Sequence, residues 1–442
     1  MISLDTVRFL RKKKFWIAFA GILIISLMIF ANLQKNEMKE YRALHSVAVK
    51  YKTKDRVSIP LDNEYGEQRK ATIDHLEKSV LDKDWPNVNA SMRDLMLMET
   101  DRISIMAESE NPDLYFHDYL RHKDEIDKLY KERNLPHIDK ATLDPFWIVG
   151  GNIDDQTAMY PYYQFSAQFY DELLKQNIDQ LTYSTVDSST VFIQFIRAMF
   201  PLLPIIIIAV MCYDSLQEDK ESGVIKVLLT QPIRRSSYMK KKLSTSIKAV
   251  LFIFMIPLLV ISLGYGLFDH YKTIKAPVLA NVQGITSVQF MENTLPEIER
   301  SDGVVDTLGV TKYFSVPYRY NSPNIEFEFM EMWQFVLLII VMAILVLIFM
   351  VLLTMLIVVL VKNKIAALSI TLVVMFMGMF IAQPHNTDIL YSILPFTYMN
   401  PVDILSGYST YTYLNGILVL VVSNVVLYGA IMFLYKRRDV IC

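Results

Sequence analysis

The side chains that could support catalysis do not form a recognisable active-site motif. His117 and His122 are five residues apart, so they do not share one helical face as a metal-binding pair at i and i+4 would. The chain has no GxxxxGK[ST], HExxH or GxSxG pattern, and its carboxylates show no paired acid and base. The sequence therefore predicts no catalytic residue, no metal site and no nucleotide bound by this chain.

A few polar side chains interrupt long apolar stretches, where a transported solute could contact them. Arg197 is the one clear charge, and Pro201 and Pro204 predict a kink in the same helix. A buried Arg is often functional, but snorkelling to nearby headgroups is the favoured explanation here, with contact to a substrate or a partner helix as the alternative. Interhelical hydrogen bonds explain the uncharged members equally well. The candidate pathway residues are Gln194, Arg197, Asn415 and Asn424.

Six apolar stretches must position these side chains. Hydrophobic residues make up 52% of the 442-residue chain, and they occur in runs of about twenty, the length that crosses a hydrocarbon core roughly 30 Å thick. The first run lacks a small-residue cleavage site, which favours a retained anchor over a signal peptide. We predict a mainly α, polytopic membrane protein with six transmembrane helices at residues 15–33, 191–213, 249–268, 333–361, 365–382 and 414–435.

The distribution of Lys and Arg predicts the orientation of these helices. Basic clusters at 8–14, 234–248, 362–364 and 436–438 all fall on one side if the six stretches span the membrane. Both termini are then cytoplasmic in a multi-pass protein of the cell (plasma) membrane, and the basic edges suit anionic membrane lipids rather than nucleic acid. Residues 1–14 form either an amphipathic interfacial helix or a plain basic flank, and 436–442 form a cytoplasmic tail.

Two segments are predicted to lie outside the cell. Residues 34–190 carry an excess of acidic side chains and show helical periodicity, which indicates a largely helical extracellular domain. Residues 269–332 form a second extracellular segment with a strand-like stretch at 311–320. Cys212 and Cys442 are the only cysteines and neither lies outside, so no intramolecular disulfide braces these segments.

The loop at 214–248 is highly charged, although it separates two apolar stretches. Acidic side chains at 218, 219 and 221 suit the start of a helix, an apolar stripe follows, and Gln231-Pro232 ends the helix. The pattern predicts a short amphipathic helix in the cytoplasm with one apolar face available to a partner.

This loop resembles the cytoplasmic coupling helix of the permease subunits of type-2 ATP-binding-cassette (ABC) transporters. The family pattern is an acidic-x-Gly start, a Leu-Leu pair, Pro-x-x-Arg and a later Lys, and Lys242 supplies the last of these. A Thr commonly follows the Gly in the family, whereas this chain has Val224. The resemblance implies a role in ATPase coupling for Glu218, Glu221, Gly223, Leu228, Leu229, Pro232 and Arg235.

A second segment, LPFTYMNPVDILSG, resembles a family motif that also includes Phe396 and Leu405. In the family this region forms short re-entrant helices on the outer side, here within 383–413. Its motif residues are Pro395, Asn400, Pro401 and Gly407. The resemblance implies a separate ABC ATPase in two copies that binds ATP and Mg, a second permease chain in a homodimer or heterodimer, and outward transport.

The favoured hypothesis is the permease subunit of a bacterial ABC transporter that exports an amphipathic substrate. The substrate would be an antimicrobial peptide, which implies a role in resistance, or a lipid-like compound. The large extracellular domain favours a peptide. The alternative is a membrane sensor whose extracellular domain binds a ligand and signals through the cytoplasmic loop. A purely mechanical role is disfavoured, since permeases of that kind usually have four spans.

Overall fold

Helices form nearly all of the regular structure in the described part of the chain. The computed structural model describes residues 12–37, 63–110, 123–138, 160–179, 181, 185–221, 235–280, 328–382, 389–406, 409 and 411–437. In chain order the elements are α1 (Lys13–Glu37), α2 (Glu64–Asp82), α3 (Trp85–Glu110), α4 (Lys123–Glu132), α5 (Tyr160–Lys175), α6 (Thr190–Met199), α7 (Leu202–Cys212), α8 (Ser215–Glu221), α9 (Arg235–Asp269), β1 (Pro277–Ala280), β2 (Glu328–Glu331), α10 (Met332–Leu360), α11 (Lys364–Ile381), α12 (Ile389–Ser392), a 3-10 turn (Pro395–Tyr398), α13 (Pro401–Leu405) and α14 (Tyr413–Arg437).

Five of these helices are long and apolar enough to cross a membrane, and a broken pair makes a sixth candidate span. The five are α1, α9, α10, α11 and α14, and the broken pair is α6 with α7 and α8. The mainly α, polytopic fold is thereby confirmed. The predicted interfacial helix at 1–14 lies almost wholly outside the described residues.

The broken pair confirms the kink predicted from the prolines of the second apolar stretch. The two halves are bent by 75°. α6 ends at Met199 and α7 begins at Leu202, with Pro204 in the first turn of α7. A proline lacks the backbone N–H that would continue the preceding helix, but it is tolerated in a first turn. The break therefore falls where the sequence removes helical hydrogen bonds.

α10 is the central helix among the candidate spans. It packs against α7, α9, α11 and α14, and it buries residues along its whole length. Two polar contacts fix α14 against it: Tyr413 Oη donates to the Leu338 carbonyl at 3.0 Å, and Asn424 Nδ2 donates to the Leu345 carbonyl at 3.2 Å. α1 lies at the periphery and packs on α9.

Helices α2, α3 and α5 form a helical unit in the region predicted to be a helical domain, and their buried residues belong to the same hydrophobic core as those of the spans. α3 packs against both α2 and α5. Arg69 of α2 pairs with Glu99 of α3 at 2.5 Å, and each side chain is only 2% exposed. Arg93 of α3 pairs with Asp171 of α5 at 3.0 Å. Buried ion pairs thus join all three helices.

A short antiparallel strand pair connects this unit to two of the spans. β1 follows α9 and β2 precedes α10, with Val278 opposite Met330. α5 contacts β1, and the Phe165 and Phe329 rings meet edge to face at 6.5 Å between centroids. The strand-like stretch predicted at 311–320 lies outside the described residues, so β1 and β2 are different segments.

Candidate functional site

Four carboxylates lie at the point where the chain leaves the second span, one just before α8 and three within it. A backbone hydrogen bond of 2.9 Å from Glu218 N to the Asp214 carbonyl begins α8. Glu218 lies in the first turn of α8, where the helix dipole stabilises an acidic side chain. We call the set the acidic stem; its members are Asp214, Glu218, Asp219 and Glu221.

Two lysines at the start of α1 pair with the acidic stem. Lys14 Nζ lies 2.7 Å from Asp214 Oδ1, and Lys12 forms an ion pair with Glu218. Lys14 also lies over the Tyr213 ring, 5.4 Å from its centroid. These contacts join residues about 200 positions apart and fix the N-terminal end of α1 to the second span.

Lysines from two further spans pair with the other half of the stem. Lys242 of α9 lies 2.5 Å from Asp219, which also accepts a hydrogen bond from the Tyr238 hydroxyl. Lys364, the first residue of α11, lies 2.5 Å from Glu221. Each stem carboxylate therefore has its own lysine, and the lysines come from α1, α9 and α11.

Uncharged contacts connect α8 to the fourth span and to the turn after it. Ser215 Oγ lies 3.3 Å from Met355 Sδ in α10. Gln217 Nε2 donates to the Lys362 carbonyl at 2.7 Å and, more weakly, to the Val361 carbonyl at 3.4 Å. The acidic stem and its neighbours in α8 therefore contact α1, α9, α10 and α11 through both charged and neutral side chains.

A second cluster surrounds the 3-10 turn between α11 and α14. The Phe396 ring occupies the space that a Cβ on Gly378 of α11 would need, and the Tyr398 ring does the same at Gly416 of α14. Asn415 Nδ2 donates to Tyr398 Oη at 2.7 Å. Glycine permits this close approach because it has no side chain, and the turn is thereby held between two spans.

A comparison with protein families identifies the family to which this chain belongs. The model of a family described as ABC-2 family transporter protein matches residues 3–440. The chain belongs to this family. Comparison with curated proteins and with solved structures gave no significant match. The family assigns the chain to the membrane subunit of an ABC transporter, which is not itself catalytic and which implies an ATPase partner.

Of the residues predicted for ATPase coupling, the structure describes three in this permease. Glu218 and Glu221 belong to the acidic stem, and Arg235 is the first residue of α9. The others lie outside the described residues: Gly223, Leu228, Leu229 and Pro232. The docking face of the predicted coupling helix stays a prediction. The structure describes the helices that precede and follow it in the chain, α8 and α9.

The predicted re-entrant segment folds into three short helical pieces. Pro395 begins the 3-10 turn and Pro401 begins α13, positions at which a missing N–H costs little. Asn400 precedes α13, and its Nδ2 donates to the Arg197 carbonyl at 3.2 Å. Gly407 lies outside the described residues. This segment therefore contacts α6 directly, next to the break in the second span.

The predicted pathway residues do not form one group. Arg197 lies in the last turn of α6, half-buried, near Asn400 and Asp403. Gln194 is also half-buried in α6. Asn415 belongs to the cluster around the 3-10 turn, and Asn424 binds the α10 backbone. The structure therefore brings Arg197 together with Asn400 and separates both from Asn424.

Asp403 is a site residue that the sequence analysis did not single out. Burial raises its pKa to about 6, and the positive charge of Arg197 acts in the opposite direction. Within the described residues no carboxylate lies within 4 Å of the Arg197 guanidinium. Asp403 lies inside NPVDIL, part of the second family motif, and this position was the one signal in the sequence that could have identified it as a candidate. Among all the residues that the structure describes, no group of three or more His, Cys, Asp or Glu could hold a metal ion.

Proposed function

We propose that this chain is the permease subunit of an exporter whose separate ATPase docks on the loop at 214–248. The observation that carries the proposal is the acidic stem, which fastens the start of that loop to three other spans through ion pairs. A loop that only joined two spans would need no such attachment. An element that receives force from a partner needs one, because the force must reach the helices.

The proposed assembly contains two ATPase copies and two permease chains. Apolar side chains on the outer faces of the spans support a membrane location and a second permease, since Ile365 and Phe380 of α11 are more than 70% exposed in the single chain. We infer that the ATPase binds on the side of the stem lysines, and the basic end of α14 supports this placement. We place both termini on that side, in the cytoplasm.

For the substrate we propose an amphipathic compound, either an antimicrobial peptide or a lipid-like molecule. The support is the polar group of Arg197, Asn400 and Asp403, which lies beside apolar helices at the break in the second span. Arg197 has no ion pair among the described residues, and a charged side chain in such a place is a candidate contact for a charged substrate group. Outward transport follows from the resemblance to exporters.

The test is co-expression of the permease with an ATPase encoded beside it, followed by purification and measurement of ATP hydrolysis. We expect the two chains to co-purify, and Leu228→Asp to remove the docking contact while leaving insertion in the membrane intact. Leu81→Asp is the matched control, because Leu81 is an exposed leucine of α2 far from the loop in sequence. A permease that associates with no ATPase would instead favour a membrane sensor.

A further inference from the structure

We propose that the acidic stem is a junction that passes displacement of the coupling loop to α1, α9 and α11 separately, through one set of lysines for each span. Lys12 and Lys14 serve α1, Lys242 serves α9 and Lys364 serves α11. These lysines are positioning residues, and the inference rests on the proposed function. To that function it adds the identity of the spans that the loop moves and of the side chains that connect them to it.

The first step of the argument is that the stem is a lever rather than a flexible strand. The bond from Tyr213 N to the Ala209 carbonyl, 3.0 Å, closes α7, and the bond from Glu218 N to the Asp214 carbonyl, 2.9 Å, begins α8. The two helices follow each other across Tyr213 and Asp214 as one helical stretch, Leu202–Asp219, while the 75° bend lies before it. Such a stretch transmits force along its axis. The loop at 222–234 begins directly at its end.

The second step is that the pairs select particular lysines from basic clusters. Lys13, Lys241 and Lys362 are neighbours of the pairing lysines, yet their side chains are exposed and form no ion pair in the described part of the chain. If these lysines only set the orientation of the spans in the membrane, any lysine of a basic cluster could serve, and neighbouring lysines would not differ in their contacts. The one-to-one matching of carboxylates and ammonium groups therefore indicates a specific arrangement.

The third step is that the pairs differ in strength in a defined order. Lys242 and Asp219 are each 16% exposed, whereas Glu221 is 63% exposed in its pair with Lys364. Partial burial reduces screening by water and salt, so the contact to α9 is the strongest and the contact to α11 the weakest. Graded contacts allow α9 to follow the stem closely while α11 follows it loosely.

The test reads each span separately in the reconstituted permease–ATPase complex. Single cysteines replace exposed residues toward the end of each span remote from the stem, at Met28 in α1, Leu267 in α9 and Phe380 in α11, in a Cys442→Ser background. Cys212 is buried and is retained. An environment-sensitive fluorophore on each cysteine reports the change in emission on addition of ATP and vanadate.

We expect each charge removal to lower the signal of one span at least two-fold and leave the others unchanged. Lys12→Gln with Lys14→Gln acts on the label at 28, Lys242→Gln on the label at 267, and Lys364→Gln on the label at 380. The matched controls Lys13→Gln, Lys241→Gln and Lys362→Gln preserve all three signals. The reciprocal exchange Glu221→Lys with Lys364→Glu restores the signal at 380.

Two results would overturn the junction while leaving the proposed function intact. One is an equal loss at all three labels in every stem variant, and the other is no loss in any of them while ATP still changes the emission. A chain that binds no ATPase, or whose labels never respond to nucleotide, overturns the proposed function and the junction with it. Correct insertion of each variant is checked by size-exclusion chromatography of the complex.

Discussion

The helical unit of α2, α3 and α5 and the acidic stem both depend on ion pairs, but they place them differently. Arg69 and Glu99 are almost wholly buried between helices, whereas every stem pair keeps partial contact with solvent. A buried pair tolerates no loss of a partner, because the remaining charge has no water around it. A half-exposed pair can separate at small cost. The first arrangement suits a fixed scaffold, and the second suits a part that moves.

The strongest test of this contrast is Glu99→Ala in α3. The substitution leaves Arg69 buried without its closest carboxylate, and we expect a loss of about 3 to 5 kcal/mol in the stability of the helical unit. Limited proteolysis and thermal unfolding of the purified permease measure it. Glu172→Ala is the matched control, since Glu172 pairs with Lys175 near the surface of α5 and should change little. Equal effects would remove the contrast.

A second prediction concerns packing rather than charge. Gly378→Ala places a methyl group where the Phe396 ring lies, and overpacking of this kind costs about 1 to 3 kcal/mol. Gly429→Ala in α14 is the control, because no atom lies within 4 Å of the added Cβ. We expect a lower melting temperature for the first variant alone. Unchanged stability in Gly378→Ala would show that the 3-10 turn is not held between the spans.

The third prediction tests a carboxyl that has no ion pair among the described residues. Because burial raises the pKa of Asp403 to about 6, its ionisation opposes folding, and stability is highest below the unfolded value near 4 and falls as pH rises through 6. Asp403→Asn should therefore be more stable than the unmodified chain at pH 7, by about 1 to 2 kcal/mol. The two should converge at pH 4. A melting-temperature difference that does not vary with pH contradicts the assignment.

The smallest effect on stability is expected in the stem. Lys364→Gln removes a pair in which Glu221 is well exposed, so the unfolding free energy should change by less than about 1 kcal/mol. ATP hydrolysis by the complex should nevertheless respond differently to the substrate, because α11 loses its attachment to the loop. Thermal unfolding and ATP turnover of the same sample measure both. A large stability loss would place this pair with the buried ones.

The sequence was sufficient to predict the fold class and the family, because runs of apolar residues and short-range spacings are local signals. The break between α6 and α7 was predictable for the same reason, from Pro201 and Pro204. The sequence did not predict the ion pairs of the acidic stem. Lys14 and Asp214 are separated by 200 positions, and each looked like an ordinary charged residue flanking a span.

The residues around the 3-10 turn and α13 show a second limit of sequence analysis. Asp403 gained significance only when folding placed it near Arg197, and Gly378 only when the Phe396 ring was found against it. Such residues depend on the relative placement of distant helices. Arg197 itself was noticed because a charge inside an apolar stretch is visible in one dimension, whereas a well-packed glycine is not.

The strand pair of β1 and β2 has a consequence for how such transporters diversify. Its ladder joins the ends of α9 and α10 through main-chain groups, and the backbone bond of 2.9 Å from Met332 N to the Ala276 carbonyl continues it into α10. Main-chain hydrogen bonds are available to nearly any amino-acid sequence. The side chains of the helical unit that contacts this ladder can therefore change while the main-chain link between β1, β2 and α10 is kept.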